Sequence, residues 1–331
     1  MYDFKFRSVG GFQRNCTTEI IHVTKQKFII LKFADTYKSV QKAQRTSARS
    51  AIRHTALNNI SRLFLKLNES RKLVETKRIQ FLYIHHIFQD EEVPLQQLIE
   101  KLSKNHHFIS YSDAVRKMEA GVIDKPYLCI SSDDGFKNNL RAAEILRAYG
   151  ISACFFICPA IIGEEDPDKI SEFCRTRLNF PAVEFLNWVD VEQLQKLGHE
   201  IGGHTMNHVN IASTIPEHLP FEIGECYRQL QHHCGTSPHF AFPYGRFFHF
   251  NDIGKQEVFQ AGFHTISSAE RGCHISDSNQ RINTRELMIR RDHIVLTWPW
   301  QHIEYFIAKN AKNASINSNY FPSYAGSDHN R

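Results

Sequence analysis

Tyr127-Leu128-Cys129-Ile130-Ser131-Ser132-Asp133-Asp134-Gly135-Phe136 is a short apolar, β-prone run that stops at two adjacent carboxylates and a glycine. Such a run reads as a buried strand delivering Asp133 and Asp134 to its C-terminal end, with Gly135 allowing a tight exit. Burying two carboxylates side by side is costly unless a cation or a proton compensates. Adjacent side chains point in different directions, so one can bind a metal while the other handles a proton. The bland alternative is an N-cap pair ahead of the helix that starts near Asn138.

Outward from this run, strands and helices alternate. Strands are expected over 79–87, 108–110, 151–158, 200–203, 239–242, 263–266 and 287–290. Helices are expected over 95–102, 113–120, 138–148, 191–197, 221–233, 255–261 and 300–310. Repeated strand–helix units imply a parallel sheet, closed into a barrel or doubly wound. The chain divides into an N-terminal extension over 1–78, a catalytic domain over 79–310 and a loose Asn- and Ser-rich tail over 311–331. Residues 19–33 hold enough β-branched and apolar residues for a strand or two.

Composition is that of an ordinary water-soluble fold, with 42% hydrophobic and 23% charged residues among 331. No run reaches the roughly 18 apolar residues that span a bilayer; the most apolar stretch, 151–162, is bracketed by Gly150 and Gly163. Residues 1–11 have no apolar signal-peptide core, so a cytoplasmic location is expected. The eight cysteines show no C-x-x-C spacing and read as buried thiols. Cys154 and Cys158 are spaced as a metal pair, but the Phe155-Phe156-Ile157 between them favours core packing.

Net charge is +5, unevenly spread. Residues 38–78 carry eleven Lys or Arg against Glu69 and Glu75, with a rough apolar stripe through Leu57, Ile60, Leu63, Phe64 and Leu67. A basic amphipathic helix packs its stripe on the main domain or contacts an anionic membrane at the inner surface. No aromatic interleaving or recognisable module points to nucleic acid.

The second polar signal is Gly202-Gly203-His204-Thr205-Met206-Asn207-His208. Two histidines at i and i+4 share one face if the segment is helical, and can chelate one metal. Among nineteen histidines a chance pair is expected. Joined to an aspartate at a strand end, the pair becomes a two-His, one-carboxylate set with positions open for water and substrate. The third signal is Phe240-Ala241-Phe242-Pro243-Tyr244-Gly245, a strand stopping at a Pro-aromatic-Gly turn that exposes backbone N–H groups.

These signals, in this order, resemble the polysaccharide deacetylase family (the NodB homology domain, carbohydrate esterase family 4). Its first motif, T-F-D-D-G, is matched by Ser131-Ser132-Asp133-Asp134-Gly135. Its second, H-[ST]-x-x-H, is matched by His204, Thr205 and His208, and its third ends in P-[YF]-G, matched by Pro243, Tyr244 and Gly245. Gly198-His199-Glu200-Ile201-Gly202 and Asn187-Trp188 resemble the family's surroundings. The likeness runs over about 79–295. It implies a deformed (β/α) barrel with the site at the C-terminal strand ends. It further implies that Asp134, His204 and His208 hold a divalent metal, zinc first, with cobalt, nickel or iron also suited to such a set. Asp133 would be the general base, Thr205 would orient the site, and the Tyr244 N–H would help stabilise the oxyanion.

The chain departs from the commonest pattern at Ala241, where the family usually carries an arginine bracing the base. Arg290 or Arg291 is expected to supply that charge. The general acid is expected from Leu82-Tyr83-Ile84-His85-His86-Ile87, with His85 first and His86 or His293 as alternatives; Asp292 could orient His293. The resemblance implies hydrolysis of acetyl groups from an N-acetylated sugar in a glycan or glycan precursor. An O-acetyl esterase and a non-catalytic glycan-binding relative are the rival readings.

Overall fold

The computed structural model describes residues 33–43, 48–67, 70–276 and 281–322, and these described residues belong to one compact unit. The strands expected over 19–33 fall almost wholly outside the described residues. Among the described residues, nine strands run in chain order: β1 (Arg78–Ile84), β2 (His107–Phe108), β3 (Pro126–Ser132), β4 (Ala153–Ile157), β5 (Glu200–Gly203), β6 (His239–Ala241), β7 (Thr265–Ser267), β8 (Met288–Ile289) and β9 (Arg291–His293). Their sheet order is β8-β7-β6-β5-β4-β3-β1-β9, and every ladder in it is parallel. Only Arg290 separates β8, paired to β7, from β9, paired to β1. One short segment therefore bridges the two ends of the sheet, and the sheet becomes a nearly closed, deformed (β/α) barrel. The deformation is visible at β3, where β2 pairs with its first residues and β4 with its last.

Strand parity sorts the side chains. Ile79, Phe81, Tyr127, Cys129, Cys154, Phe156, Ala241 and Ile289 form one buried cluster inside the barrel. Leu82, Ile84, Leu128, Ile130, Phe155 and Ile157 face the other way, against the helices. That outer layer comes from α4 (Glu92–Leu102), α6 (Asn139–Ala148), α8 (Trp188–Lys196), α9 (Cys226–Cys234), α10 (Asp252–Ala261) and α11 (Trp300–Lys312). The apolar face of α5 (Tyr111–Glu119) joins the inner cluster, α1 (Tyr37–Ala43) and α7 (Pro167–Phe173) share a third cluster, and α2 (Ala48–Leu67) and α3 (Ser70–Val74) lie on α11. Sequence signals mark several starts. Ser110 Oγ accepts from the Asp113 N–H at 3.1 Å, and Asn187 with Asp190 closes a capping box on α8.

Among the described residues, the basic segment over 38–78 holds three helices, α1, α2 and α3, rather than one. The Asp90 carboxylate caps α1, accepting from the Tyr37 and Lys38 N–H groups at 2.8 and 3.1 Å. α2 lies on α11, where the Phe64 and Tyr305 rings meet edge to face at 5.1 Å. The loose tail expected from 311 is corrected over 311–322. α11 extends to Lys312, and buried Asn319 bonds His274 Nδ1 at 3.0 Å. Residues 323–331 of that tail lie outside the described residues. The seven described cysteines are free, six of them buried.

Candidate active site

β3 ends as its sequence suggests, with Asp133 and Asp134 both buried. Asp133 continues the inward-facing parity of Cys129 and Ser131, and its N–H donates to the Ile84 carbonyl at 3.1 Å. Asp134 turns out of the strand with φ 76°, so the two carboxylates diverge. On the neighbouring side of the barrel, Arg291 sits opposite Phe81 in the β1–β9 register and also faces inward. Its guanidinium donates to both Asp133 oxygens, at 2.6 and 2.9 Å, and its Nε donates to the Ser268 carbonyl at 3.0 Å. Burial alone would raise the Asp133 carboxyl. The Arg291 charge and hydrogen bonds, with the neighbouring His204 and His85, together outweigh that and hold it below the usual carboxylate range.

Asp134, His204 and His208 each offer one ligand atom, and these atoms lie within 4.8 Å of one another. Asp134 Oδ1 is 3.6 Å from His204 Nε2 and 3.4 Å from His208 Nε2. His204 Nδ1 lies 2.7 Å from the Ala241 carbonyl. A carbonyl can only accept, so Nδ1 carries the proton and Nε2 presents its lone pair to Asp134. Burial holds both imidazoles below the ordinary histidine value, which keeps them neutral as ligands require. Burial and the neighbouring Asp133 charge push the Asp134 carboxyl well up. A cation between these three donors would relieve that cost, so the donor set fits a divalent ion.

The histidine pair converges for a reason other than helical spacing. Residues 205–207 form a turn, and Thr205 and His208 take left-handed φ values of 58° and 52°. The two rings still meet at 5.1 Å. Thr205 is buried, and its Oγ1 accepts from the Val209 N–H at 3.1 Å, which closes the turn.

His85 follows β1, and its carbonyl accepts from Ser132 Oγ and Asn139 Nδ2, both at 3.3 Å. Its ring meets His293 edge to face at 4.9 Å, and His293 stacks on Tyr83 at 5.0 Å. Both therefore border the cavity of about 340 Å³ that holds Asp133, Asp134 and Arg291. Burial lowers both rings, His85 to about 4. His86 lines the same cavity, but its Nδ1 is engaged by the buried Glu91 carboxylate at 2.7 Å.

Pro243 is buried and Tyr244 is left-handed at φ 62°. The Tyr244 ring packs on His208 at 4.9 Å, and its Oη donates to the Arg177 carbonyl at 3.1 Å. Gly245 has φ +64°, and a Cβ there would lie 2.2 Å from the Ala269 Cβ. Only glycine lets the turn close against that neighbour.

Strand parity corrects two expectations. Arg290 does not reach Asp133. Its Nε donates to the Ser318 carbonyl at 3.1 Å, and its guanidinium lies 4.8 Å over Phe247. Asp292 does not orient His293. It faces α11, accepting from Gln80 Nε2 at 2.7 Å and from Asn310 Nδ2 at 2.7 and 2.8 Å. Sequence reasoning missed Tyr37, Asn179 and Phe180 on the cavity wall, and Glu91 behind His86. A glutamate buried at the start of a helix carries a faint signal, since Glu91 also accepts from the Phe88 N–H at 3.1 Å. The three wall residues carry none.

The fold is a deformed (β/α) barrel of the NodB type. Residues 121–266 match the family model described as polysaccharide deacetylase. The match includes Asp133, Asp134, His204, His208 and Tyr244 and leaves out His85, Arg291 and His293. A curated relative, the chitooligosaccharide deacetylase of Azorhizobium caulinodans, is 30% identical over 120 residues, which are 35% of this chain and 47% of that protein. The chain thus spans about half the length of the curated relative it matches. Among solved structures, IcaB from Ammonifex degensii is 15% identical with a TM-score of 0.54, covering 70% of this chain and 97% of its own. The deacetylase PplD of Streptococcus pyogenes in complex with acetate is 16% identical with a TM-score of 0.54, covering 70% and 99%. The de-N-acetylase from Aggregatibacter actinomycetemcomitans is 17% identical with a TM-score of 0.52, covering 69% and 99%. At these identities the structures speak for the shared fold.

Proposed function

We propose that this protein is a metal-dependent carbohydrate N-deacetylase acting on an N-acetylated sugar in a glycan or glycan precursor. The observation that carries the reading is a buried carboxylate braced by Arg291, next in sequence to the carboxylate of an Asp–His–His donor set. Asp134, His204 and His208 would hold one divalent ion, zinc first, with cobalt, nickel or iron also suited to the set. The bound ion supplies Lewis acidity, lowering the pKa of water and polarising the acetamide carbonyl. Asp133 takes the proton of the attacking water, and Arg291 keeps its carboxylate ionised and fixed in plane. The Tyr244 N–H donates to the developing oxyanion. His85, neutral at rest, passes on to the departing amine the proton that Asp133 takes from the water.

The test is acetate release from N-acetylated and O-acetylated sugars by wild type and Asp133→Asn, each with its metal content measured. Release from N-acetyl substrates by wild type, lost in a variant that still binds metal, supports the assignment. Metal-loaded wild type that frees acetate only from O-acetyl substrates would replace it with an esterase, and wild type that folds but binds no divalent metal would remove its basis.

We further propose that residues 38–78 bring the enzyme to the anionic inner surface of the cytoplasmic membrane. No helix among the described residues is long and apolar enough to cross a membrane. Ile60, Leu63 and Leu67 are nonetheless 52%, 59% and 70% exposed along α2, beside Arg62 and Lys66. Co-sedimentation with anionic liposomes should fall in an Ile60→Asp, Leu63→Asp, Leu67→Asp variant. Binding unchanged by these substitutions would refute the contact.

A further inference from the structure

Tyr37, His86 and Glu91 line the cavity, lie outside the stretch that matches the family model, and have no part in the chemistry above. Glu91 is 1% exposed. Its Oε2 accepts from the Phe88 N–H at 3.1 Å and lies 2.7 Å from His86 Nδ1. A carboxylate accepts, so Nδ1 carries the ring proton. Nε2 is then left as an acceptor, and it has no partner among the described residues.

The His86 ring is fixed from several sides. Phe88 packs on it at 4.8 Å and Tyr37 at 5.0 Å, and Phe180 stacks at 5.6 Å. Tyr37 belongs to α1, a helix of seven residues, too short to hold its place by its own backbone bonds. The barrel holds it instead. Asp90 takes the Tyr37 and Lys38 N–H groups on its two carboxylate oxygens, and the Ala34 N–H donates to the Ala182 carbonyl at 3.0 Å. Val40 is fully buried in one cluster with Phe88, Phe136 and Phe185. A segment of the N-terminal extension is thereby a built wall of the cavity.

A ring with one nitrogen locked on a buried carboxylate offers its other nitrogen in one direction, with little freedom left to lose when a ligand arrives. The cavity, about 340 Å³, is at the small end of ligand sites, where a few placed polar groups fix orientation. His86 is not in the candidate metal set, which is Asp134, His204 and His208. The donors that a sugar brings to such an acceptor are its ring hydroxyls.

We propose that His86 Nε2 accepts from one hydroxyl of the acetylated sugar, and that α1 holds His86 on target through Tyr37. The proposal rests on the glycan reading above and adds a specificity, since the sugar must carry that hydroxyl. The test is calorimetric binding of N-acetylglucosamine and its 3-deoxy, 4-deoxy and 6-deoxy analogues to wild type, His86→Phe and Asp90→Ala, with metal content and melting temperature recorded. One analogue should bind wild type about tenfold more weakly than the parent sugar, and the gap should vanish in His86→Phe. A His86→Phe, Glu91→Gln double variant removes the orphaned carboxylate should the single variant fail to fold. Asp90 does not line the cavity, yet Asp90→Ala should shrink the same gap by freeing α1. Four sugars bound alike by wild type, or a gap that survives in folded His86→Phe, overturns the role of His86. A full gap in Asp90→Ala overturns that of α1. Acetate release from the parent sugar separates the two claims. Release with no gap removes the His86 contact alone, and a gap without release leaves the contact standing and removes the deacetylase reading.

Discussion

Arg291 grips both carboxylate oxygens of Asp133, at 2.6 and 2.9 Å, across 158 residues of chain. Both side chains are buried, so each charge depends on the other. The two-point fork also fixes the plane of the carboxylate, which a single ammonium cannot do. Arg291 is itself wrapped by rings, with Tyr83 at 4.8 Å and Phe156 at 5.0 Å. Small Ala241 lies in the same interior cluster as Phe156. The brace thus reaches the base from β9, while β6 contributes only the carbonyl that sets the His204 tautomer.

Breaking this pair from one side should be worse than removing both charges. Arg291→Met leaves Asp133 charged in the barrel interior, at a cost of about 3–5 kcal/mol. Asp133→Asn together with Arg291→Met removes the orphaned charge and should recover a large part of that loss. Urea unfolding of wild type, both single variants and the double variant reads the coupling. Additive single-variant effects would show that the two groups do not act as a unit.

His85 and His293 compete for the role of acid because their rings touch at 4.9 Å over one cavity. With His85 as donor, His85→Gln should lower kcat on an acetamide by about 10²-fold or more, and His293→Gln by much less. An aryl acetate, whose leaving group barely needs a proton, should be spared in His85→Gln. The reverse ranking would move the role to His293. Equal loss on both substrates would point to a damaged site instead of a missing proton.

Short motifs at strand ends made part of this site legible from the chain alone. Asp133 and Asp134 close an apolar run, and His204 and His208 follow a glycine pair, so each announces its own place. Tyr244 was legible because Pro243 and Gly245 flank it. The choice between Arg290 and Arg291 was not, because it depends on which way each points where β8 passes into β9, and strands of two and three residues have no periodicity to read. The same parity separates Asp292 from His293. The histidine spacing suggested a helical face, and the turn that holds the pair depends on two left-handed residues that sequence does not mark. Tyr37 and Phe180 come from segments outside the strand–helix repeat, and their place on the cavity wall is set by packing alone.

Gly245→Ala tests whether the turn after β6 is a positioning device. The new Cβ would meet Ala269 at 2.2 Å, and the residue would have to keep φ +64°. Left-handed strain in a non-glycine residue costs on the order of 1–3 kcal/mol, and the clash adds to it. The turn should shift and carry Tyr244 from its 4.9 Å contact with His208. Thermal unfolding should move down, and kcat should fall while metal content holds. Unchanged kcat in a destabilised but folded variant would mean that the Tyr244 backbone does not serve the reaction.

A buried neutral histidine that does not line the cavity should make stability depend on pH. His274 is fully buried; its Nδ1 bonds Asn319 Oδ1 at 3.0 Å, and its Nε2 accepts the Arg290 N–H at 3.0 Å. A proton on Nε2 would face that N–H and break the bond. Burial, the largest cause, pushes His274 from 6.5 down to about 4. Between these values the unfolded chain binds a proton that the folded chain refuses, so stability falls as pH falls through this window. Above about 6.5 both states are neutral and below about 4 both are charged, so this residue adds no slope outside the window. Inside it the loss is about 1.4 kcal/mol per pH unit. His274→Gln should therefore be less stable than wild type at pH 7, and the gap should narrow by about that amount per unit between pH 6 and pH 4. Denaturant unfolding at pH 7, 6, 5 and 4.5 reads the gap directly. A gap that stays constant would mean that His274 takes up its proton alike in the folded and unfolded chain.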